Sequence, residues 1–219
     1  MSGNTIAVLA SGGGSNLQAI IDEVESGRIL CKVAVVISDQ VDAGALARAK
    51  EHKIPTEVIT KADYPVREEY DREVIRVLKG YGVELVVLAG FMRILSPVII
   101  EAFPLKIINI HPSLLPSFPG LDVQEAALKA GVRFSGCTVH FIDTGVDTGP
   151  IIIQAVVPVL NNDTVRELSI RILKEEHRIY PEAVRLIVEG RVTVKGQQVM
   201  INDSKVDAEV SLTNPPVKG

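Results

Sequence analysis

Cysteine is nearly absent: Cys31 and Cys137 are the two among 219 residues, they lie far apart, and a chain this long does not depend on a single staple. Both read as reduced core thiols. An excess of positive charge is also missing. With 23 Lys and Arg against 27 Asp and Glu the net charge is -4, which excludes binding of nucleic acid through bulk charge. No apolar run approaches the roughly 18 residues that a membrane span needs. The polar start Met1-Ser2-Gly3-Asn4 has no basic n-region, so neither a signal sequence nor a membrane partner is expected, and the expected compartment is the cytoplasm. There is no internal repeat and no low-complexity tract.

What is present is apolar side chain, 47% of residues against 23% charged, enough for a core and too much for a disordered chain. The length suits one large domain with a tail, at about 150 residues per domain. Short β-branched runs alternate with longer amphipathic ones. Strands are predicted over 5–10, 32–37, 56–59, 85–89 and 106–110, and helices over 16–26, 43–52, 66–79 and 96–102, with Gly27 and Gly80 as stop signals. That pattern is an α/β sheet wound from at least five parallel strands. Two extended runs follow over 133–142 and 150–159, then one long helix over about 163–189. Alternation at Val192, Val194, Val199 and Ile201 around Lys195-Gly196 predicts a hairpin, and the polar stretch from Asn202 to Pro215-Pro216 reads as a frayed tail without function.

The first strand ends in Ser11-Gly12-Gly13-Gly14-Ser15-Asn16 and opens straight into a helix, which leaves bare amides at a positive helix terminus. Such a place suits phosphate. The glycines let an anion approach, while Ser15 or Asn16 can cap the helix and donate to phosphate oxygens. The plain alternative is a tight strand-to-helix turn. A dinucleotide fingerprint wants glycine where Leu17 stands, and a P-loop wants Gly-Lys-Ser/Thr, so a phosphomonoester fits better, although Asp39 keeps an NAD reading open.

Two-residue alternation sends Asn109 and His111 to the same side of the fifth strand, at the carboxyl edge where open α/β sheets bind ligands. Pro112, Pro116 and Pro119 stiffen the loop behind them. The segment from Gly136 to Pro150 then delivers His140, Asp143 and Asp147 together. His140 also reads as a satisfied core histidine and Asp143 as a turn cap, whereas glycines on both sides of Asp147 permit a geometry that aims its carboxylate inward. A carboxylate beside an imidazole favours the charged, proton-donating form. These histidines and acids lack the spacing of a compact zinc motif, so no metal is expected. His52 and His177 read as surface or packing residues. Lys174 to Glu176 reads as a solvated face whose helix brings Glu176 toward a ligand hydroxyl or amine.

Four stretches, 12–18 (GGGSNLQ), 88–96 (LAGFMRILS), 109–116 (NIHPSLLP) and 136–150, together resemble the phosphoribosylglycinamide formyltransferases of purine synthesis over residues 5–195. The resemblance implies an open, mostly parallel, Rossmann-like twisted sheet with helices on both faces. It places a formyltransferase domain over 1–190 and a hairpin with a polar tail over 191–219. It implies formyl transfer from 10-formyltetrahydrofolate to the amine of glycinamide ribonucleotide. Asn109, His111, Asp147 and His140 would carry the chemistry. Gly14, Ser15, Asn16 and Glu176 would bind the ribonucleotide. Arg67, Met92, Arg93, Ile94, Leu95, Asn109, Asp143 and Asp147 would bind the folate, with Leu88, Phe91, Ile107 and Ile142 as apolar walls. It allows a monomer or a homodimer. Asp122-Val123-Gln124 stands where some relatives carry His-x-His, so that loop is expected to hold substrate differently.

Within the same fold, methionyl-tRNA formyltransferase and formyltetrahydrofolate hydrolase are the rival readings; both would carry an extra domain, and the acidic charge argues against tRNA. A non-catalytic nucleotide sensor is the rival of another class. It would keep the glycine loop and have no use for Asn109, His111 and Asp147 together.

Overall fold

Alternating apolar residues decide the central sheet, because successive side chains of a strand enter opposite layers. In the computed structural model, which describes residues 4–203 together with Leu212 and Asn214, nine strands and six helices follow one another. They are β1 (Asn4–Leu9), α1 (Ser15–Glu25), β2 (Cys31–Ser38), α2 (Gly44–Glu51), β3 (Thr56–Val58), α3 (Arg67–Gly80), β4 (Leu85–Leu88) and α4 (Pro97–Ala102). Then come β5 (Ile107–His111), α5 (Val123–Ala130), β6 (Phe134–Phe141), β7 (Ile151–Pro158), α6 (Val165–Val188), β8 (Val192–Lys195) and β9 (Gln198–Ile201).

Seven strands form one sheet in the order β3-β2-β1-β4-β5-β6-β7. The first five run parallel, as expected, and β6 and β7 are antiparallel. Ile6 and Val8 of β1 pack with Leu17 and Ile20 of α1, Leu46 of α2 and Ile172 of α6. Their neighbours Ala7 and Leu9 pack on the other side with Tyr70 and Val74 of α3 and Ile99 of α4. Each such side chain contributes roughly 1.5–3 kcal/mol when fully buried.

The winding goes outward from β1 to β3 and then crosses back to β4, so β1 and β4 bound the crevice where doubly wound sheets hold ligands. Helix α6 starts at a reciprocal cap, with Thr164 Oγ1 accepting from the Glu167 amide and the Glu167 carboxylate accepting from the Thr164 amide. Tyr180 of α6 is fully buried and shares its hydroxyl hydrogen between the carbonyls of Leu88, 2.8 Å away, and Ile108, 3.1 Å away, tying β4 to β5.

Several expectations are corrected. Gly80 is the last residue of α3, and Gly82, at φ 65°, is the left-handed stop. Helix α5 was not anticipated: it has eight residues and follows a proline-rich loop, and Asp122 ahead of it is left-handed (φ 54°) and caps nothing through its side chain. Cys137 is buried and Cys31 half-buried, both unpaired, and burial pushes their thiols up to about 12 and about 11. The hairpin forms as β8 and β9, whereas the tail beyond Asp203 lies, apart from Leu212 and Asn214, outside the described residues. Asn214 Nδ2 donates to the carbonyls of Arg133 and Val159. Among the described residues no helix is long and apolar enough to cross a membrane.

Candidate active site

The loop after β1 is fastened to the loop after β4: the Ser11 amide donates to the Gly90 carbonyl (3.1 Å), and Ser11 Oγ accepts from the Met92 amide (2.9 Å). Gly14 begins α1 in the left-handed region at φ 73°, and a Cβ there would stand 2.7 Å from Ala45 Cα, so both backbone and space require glycine. The Gly12, Gly13 and Gly14 carbonyls accept from Ala45 N (3.0 Å), Arg48 Nε (2.8 Å) and Gln18 N (2.9 Å). Among the described residues the amides of these three glycines have no acceptor. One side of the loop is thus all donors, at the positive end of α1.

Neither Ser15 nor Asn16 caps the helix; the cap position is Gly14, with no side-chain bond. Asn16 instead turns inward and donates from Nδ2 to Glu176 Oε2 at 2.8 Å, joining α1 to α6. Its Oδ1 is buried without a partner. Glu176 is not on a solvated face but buried, and burial pushes its carboxyl above the ordinary 4.5, against the opposing pull of the Asn16 hydrogen bond and the His111 charge.

The antiparallel pairing of β5 with β6 sets Asn109 opposite His140. His140 is completely buried, and its Nδ1 lies 2.9 Å from the Phe141 carbonyl, which only accepts, so Nδ1 carries the hydrogen. Burial lowers its pKa from 6.5 and keeps it neutral. Nε2 therefore accepts, and Asn109 Nδ2, 3.4 Å away, donates. His140 is a partner of Asn109, enclosed away from any ligand, and is not itself placed to meet one.

His111 is also buried. Its Nε2 lies 3.0 Å from the Phe118 carbonyl and its Nδ1 3.5 Å from Asp147 Oδ2, while Asp147 Oδ1 lies 3.8 Å from His140 Nε2. The Gly120 amide donates to Asp147 Oδ2 at 2.9 Å. The imidazole of His111 and the acid thus pair directly, and the carboxamide joins them through His140, which both Asn109 and Asp147 approach. Asp147 is itself left-handed at φ 54°, and a Cβ on Gly149 would stand 1.9 Å from the Phe141 carbonyl oxygen, so the chain there passes closer than any side chain allows. Asp143 directs its carboxylate into its own loop, accepting from Gly145 N (3.0 Å) and Thr148 Oγ1 (2.7 Å).

Sequence reasoning missed the residues that stiffen the 112–120 loop. Ser113 Oγ bonds the Ser117 and Phe118 carbonyls, and Thr138 Oγ1 donates to the Ser113 carbonyl (2.7 Å) while accepting from Leu115 N (3.1 Å). The three prolines were the only signal of that rigidity.

In the loop after β4, Leu95 is buried and Met92 and Ile94 point outward, 71% and 67% exposed. With half-buried Phe91 and Ile142 they form an apolar lip, whereas Leu88 and Ile107 lie in the core behind it. Helix α3 grips this loop: the Arg93 guanidinium lies 3.8 Å above the Tyr70 ring, and Asp71 Oδ2 accepts from the Ser96 amide at 2.6 Å. Arg67, in the first turn of α3, is about half exposed and 3.8 Å from Glu68. His52 is tied to Glu25, and His177, half-buried, has an unpartnered Nε2. Among the described residues no three His, Cys, Asp or Glu side chains are grouped to hold a metal.

Residues 4–184 match the family model described as formyl transferase. The chain is similar to glycinamide ribonucleotide transformylase 1 from Symbiobacterium toebii, with 54% identity, a TM-score of 0.90 and coverage of 91% of this chain and 94% of that one. It is 44% identical over 190 residues to phosphoribosylglycinamide formyltransferase of Haemophilus influenzae, covering 87% of this chain and 90% of the relative. It is 48% identical over 191 residues to the trifunctional purine biosynthetic protein adenosine-3 of Drosophila melanogaster, and there it spans 14% of the relative's length and 86% of its own.

Proposed function

Because the chain belongs to the formyl transferase family, we propose that it transfers the formyl group of 10-formyltetrahydrofolate to the primary amine of glycinamide ribonucleotide in purine biosynthesis. The observation that carries this reading is the chain of contacts that gathers Asn109, His111 and Asp147 around His140, with Asp147 3.5 Å from His111 and 3.8 Å from His140, and Asn109 3.4 Å from His140. They stand on the same sheet edge as a loop whose free groups are all donors.

The donor loop fits a phosphomonoester dianion, held by the amides of Gly13, Gly14 and Ser15. Glu176, through its contact with Asn16, borders the ribose and glycinamide part. The apolar lip of Met92 and Ile94 fits a flat heterocycle, with loop backbone groups reading its polar edge, and Arg93 and Arg67 suit the folate's carboxylates. The folate supplies the formyl carbon and the leaving nitrogen N10.

Transfer requires the amine nitrogen to bond the formyl carbon, the bond from that carbon to N10 to break, and one proton to leave the amine while one reaches N10. Asn109 Nδ2, oriented by His140, donates to the formyl oxygen as negative charge builds there. His111, with the Phe118 carbonyl and the Asp147 carboxylate as acceptors at its two nitrogens, faces that charge as a cation. Asp147 takes the amine's proton and passes it on.

The test supplies both substrates to purified protein and follows folate deformylation together with the formylated ribonucleotide. The wild type is expected to form both products one for one. His111→Ala is expected to bind the ribonucleotide and turn over about 10²-fold to 10³-fold more slowly. Unchanged turnover removes His111 from the mechanism. Deformylation without formylated ribonucleotide replaces the transferase reading with hydrolysis.

A further inference from the structure

A loop of successive glycines resists no rotation of its own peptides, so an all-donor surface at Gly12–Gly14 has to be held from outside. The amide and carbonyl of a peptide point in opposite directions, and a flip of the Gly13–Gly14 peptide would replace the Gly14 N–H with the Gly13 oxygen. That oxygen would repel a phosphate. The Gly12 carbonyl is held by a backbone amide of α2, and the Gly14 carbonyl by the first turn of α1. The Gly13 carbonyl is held by a side chain, Arg48 Nε, at 2.8 Å.

Arg48 is itself fixed. Its Nη1 donates to Gln18 Oε1 at 3.2 Å, and Gln18 is pinned by donating from Nε2 to Asp22 Oδ1 at 2.8 Å and by contact with His52 Nε2 at 3.1 Å. Nη2 has no partner among the described residues, and Arg48 borders a cavity of about 420 Å³ with Ser15, Gln18, Asp22 and His177. Among the described residues no other guanidinium or ammonium group hydrogen-bonds residues 12–16. The approach of α2 is as close as backbone allows, since a Cβ on Gly44 would stand 3.1 Å from Gly13 Cα.

We propose that Arg48 is a positioning residue for the substrate's phosphate. It locks the Gly13 carbonyl away from the anion, so that the glycine amides face it, and it places behind the loop the positive charge that the loop lacks. This rests on the formyl-transfer reading above and assigns its phosphate specificity to a residue outside the glycine motif.

The experiment compares wild type, Arg48→Met and Arg48→Lys with glycinamide ribonucleotide and with its phosphate-free nucleoside, adding calorimetric binding of the ribonucleotide and competition by inorganic phosphate. Arg48→Met is expected to raise KM and Kd for the ribonucleotide about tenfold, the scale of one charge-assisted hydrogen bond, with kcat held within about twofold. Inorganic phosphate should weaken by the same factor, while KM for the folate and for the nucleoside stays put. Arg48→Lys should recover part of the loss. A parallel loss for nucleotide and nucleoside, a loss in kcat alone, or no change in Arg48→Met overturns the proposal. A wild type that binds the ribonucleotide and never formylates it overturns the formyl-transfer reading instead, and the calorimetric comparison still decides the role of Arg48.

Discussion

Asn109 and His140 are cross-strand neighbours in which the buried, neutral histidine accepts and the carboxamide donates, Nδ2 to Nε2 at 3.4 Å. That single contact settles which end of the Asn109 side chain carries its hydrogens toward the site. Replacing His140 by leucine removes the acceptor at similar volume. Turnover is expected to fall by up to about 10²-fold, the scale of a small misplacement of a reacting group, while KM for both substrates changes little. Steady-state kinetics with each substrate varied separates this from a binding defect.

Asp147→Asn keeps an oxygen for the Gly120 amide and removes the charge beside His111. The fold is expected to hold, with Tm within a few degrees. Turnover should drop about 10²-fold to 10⁴-fold, the range for loss of a proton-transferring group. Near-normal turnover at neutral pH would take Asp147 out of the proton path.

Two buried groups give stability opposite pH slopes. Glu176 has its pKa raised above 4.5 by burial, so the folded state holds a proton that the unfolded state has already lost, and stability falls as pH climbs from 4.5 through the raised value. Glu176→Gln removes that loss. Its Tm at pH 7 is expected to equal or exceed that of wild type, with the gap closing as pH approaches 4.5. For His140, with its pKa lowered by burial, the unfolded state gains the proton first, so stability falls as pH drops below 6.5, and His140→Leu should lack that slope. Thermal unfolding from pH 4 to pH 8 reads both.

Gly149→Ala forces a methyl group to within 1.9 Å of the Phe141 carbonyl oxygen, which belongs to the β6 backbone and cannot swing aside. The expected result is a loss of about 1–3 kcal/mol or more, together with displacement of Asp147 and a fall in kcat. Denaturant unfolding and turnover, measured on the same preparation, check the two effects.

The parallel strands were readable because short β-branched runs alternate with longer amphipathic ones, and the shared side of Asn109 and His111 because side chains alternate along a strand, both local rules. The inward turn of Asp147 was readable from its glycine flanks. Other features arise from partners far apart in sequence: Arg48 reaches Gly13 from another helix, and Glu176 meets Asn16 across the fold. No spacing rule marks such contacts. Sequence spacing does not tell His111 from His140, and both are buried; their partners separate them, the Phe118 carbonyl and Asp147 at the two nitrogens of His111, the Phe141 carbonyl and Asn109 at those of His140.

Helix α6 performs two tasks four residues apart, with Glu176 meeting Asn16 and Tyr180 fastening the carbonyls of Leu88 and Ile108. Because each helical residue turns the axis by about 100°, inserting or deleting one residue between them would swing the carboxylate away while the hydroxyl stayed put. The interval from 176 to 180 is therefore a measured length, a ruler that sets how deep the acid sits relative to the strand ends. Substitutions along the outward side of that turn leave the measure intact, and a change of length there does not.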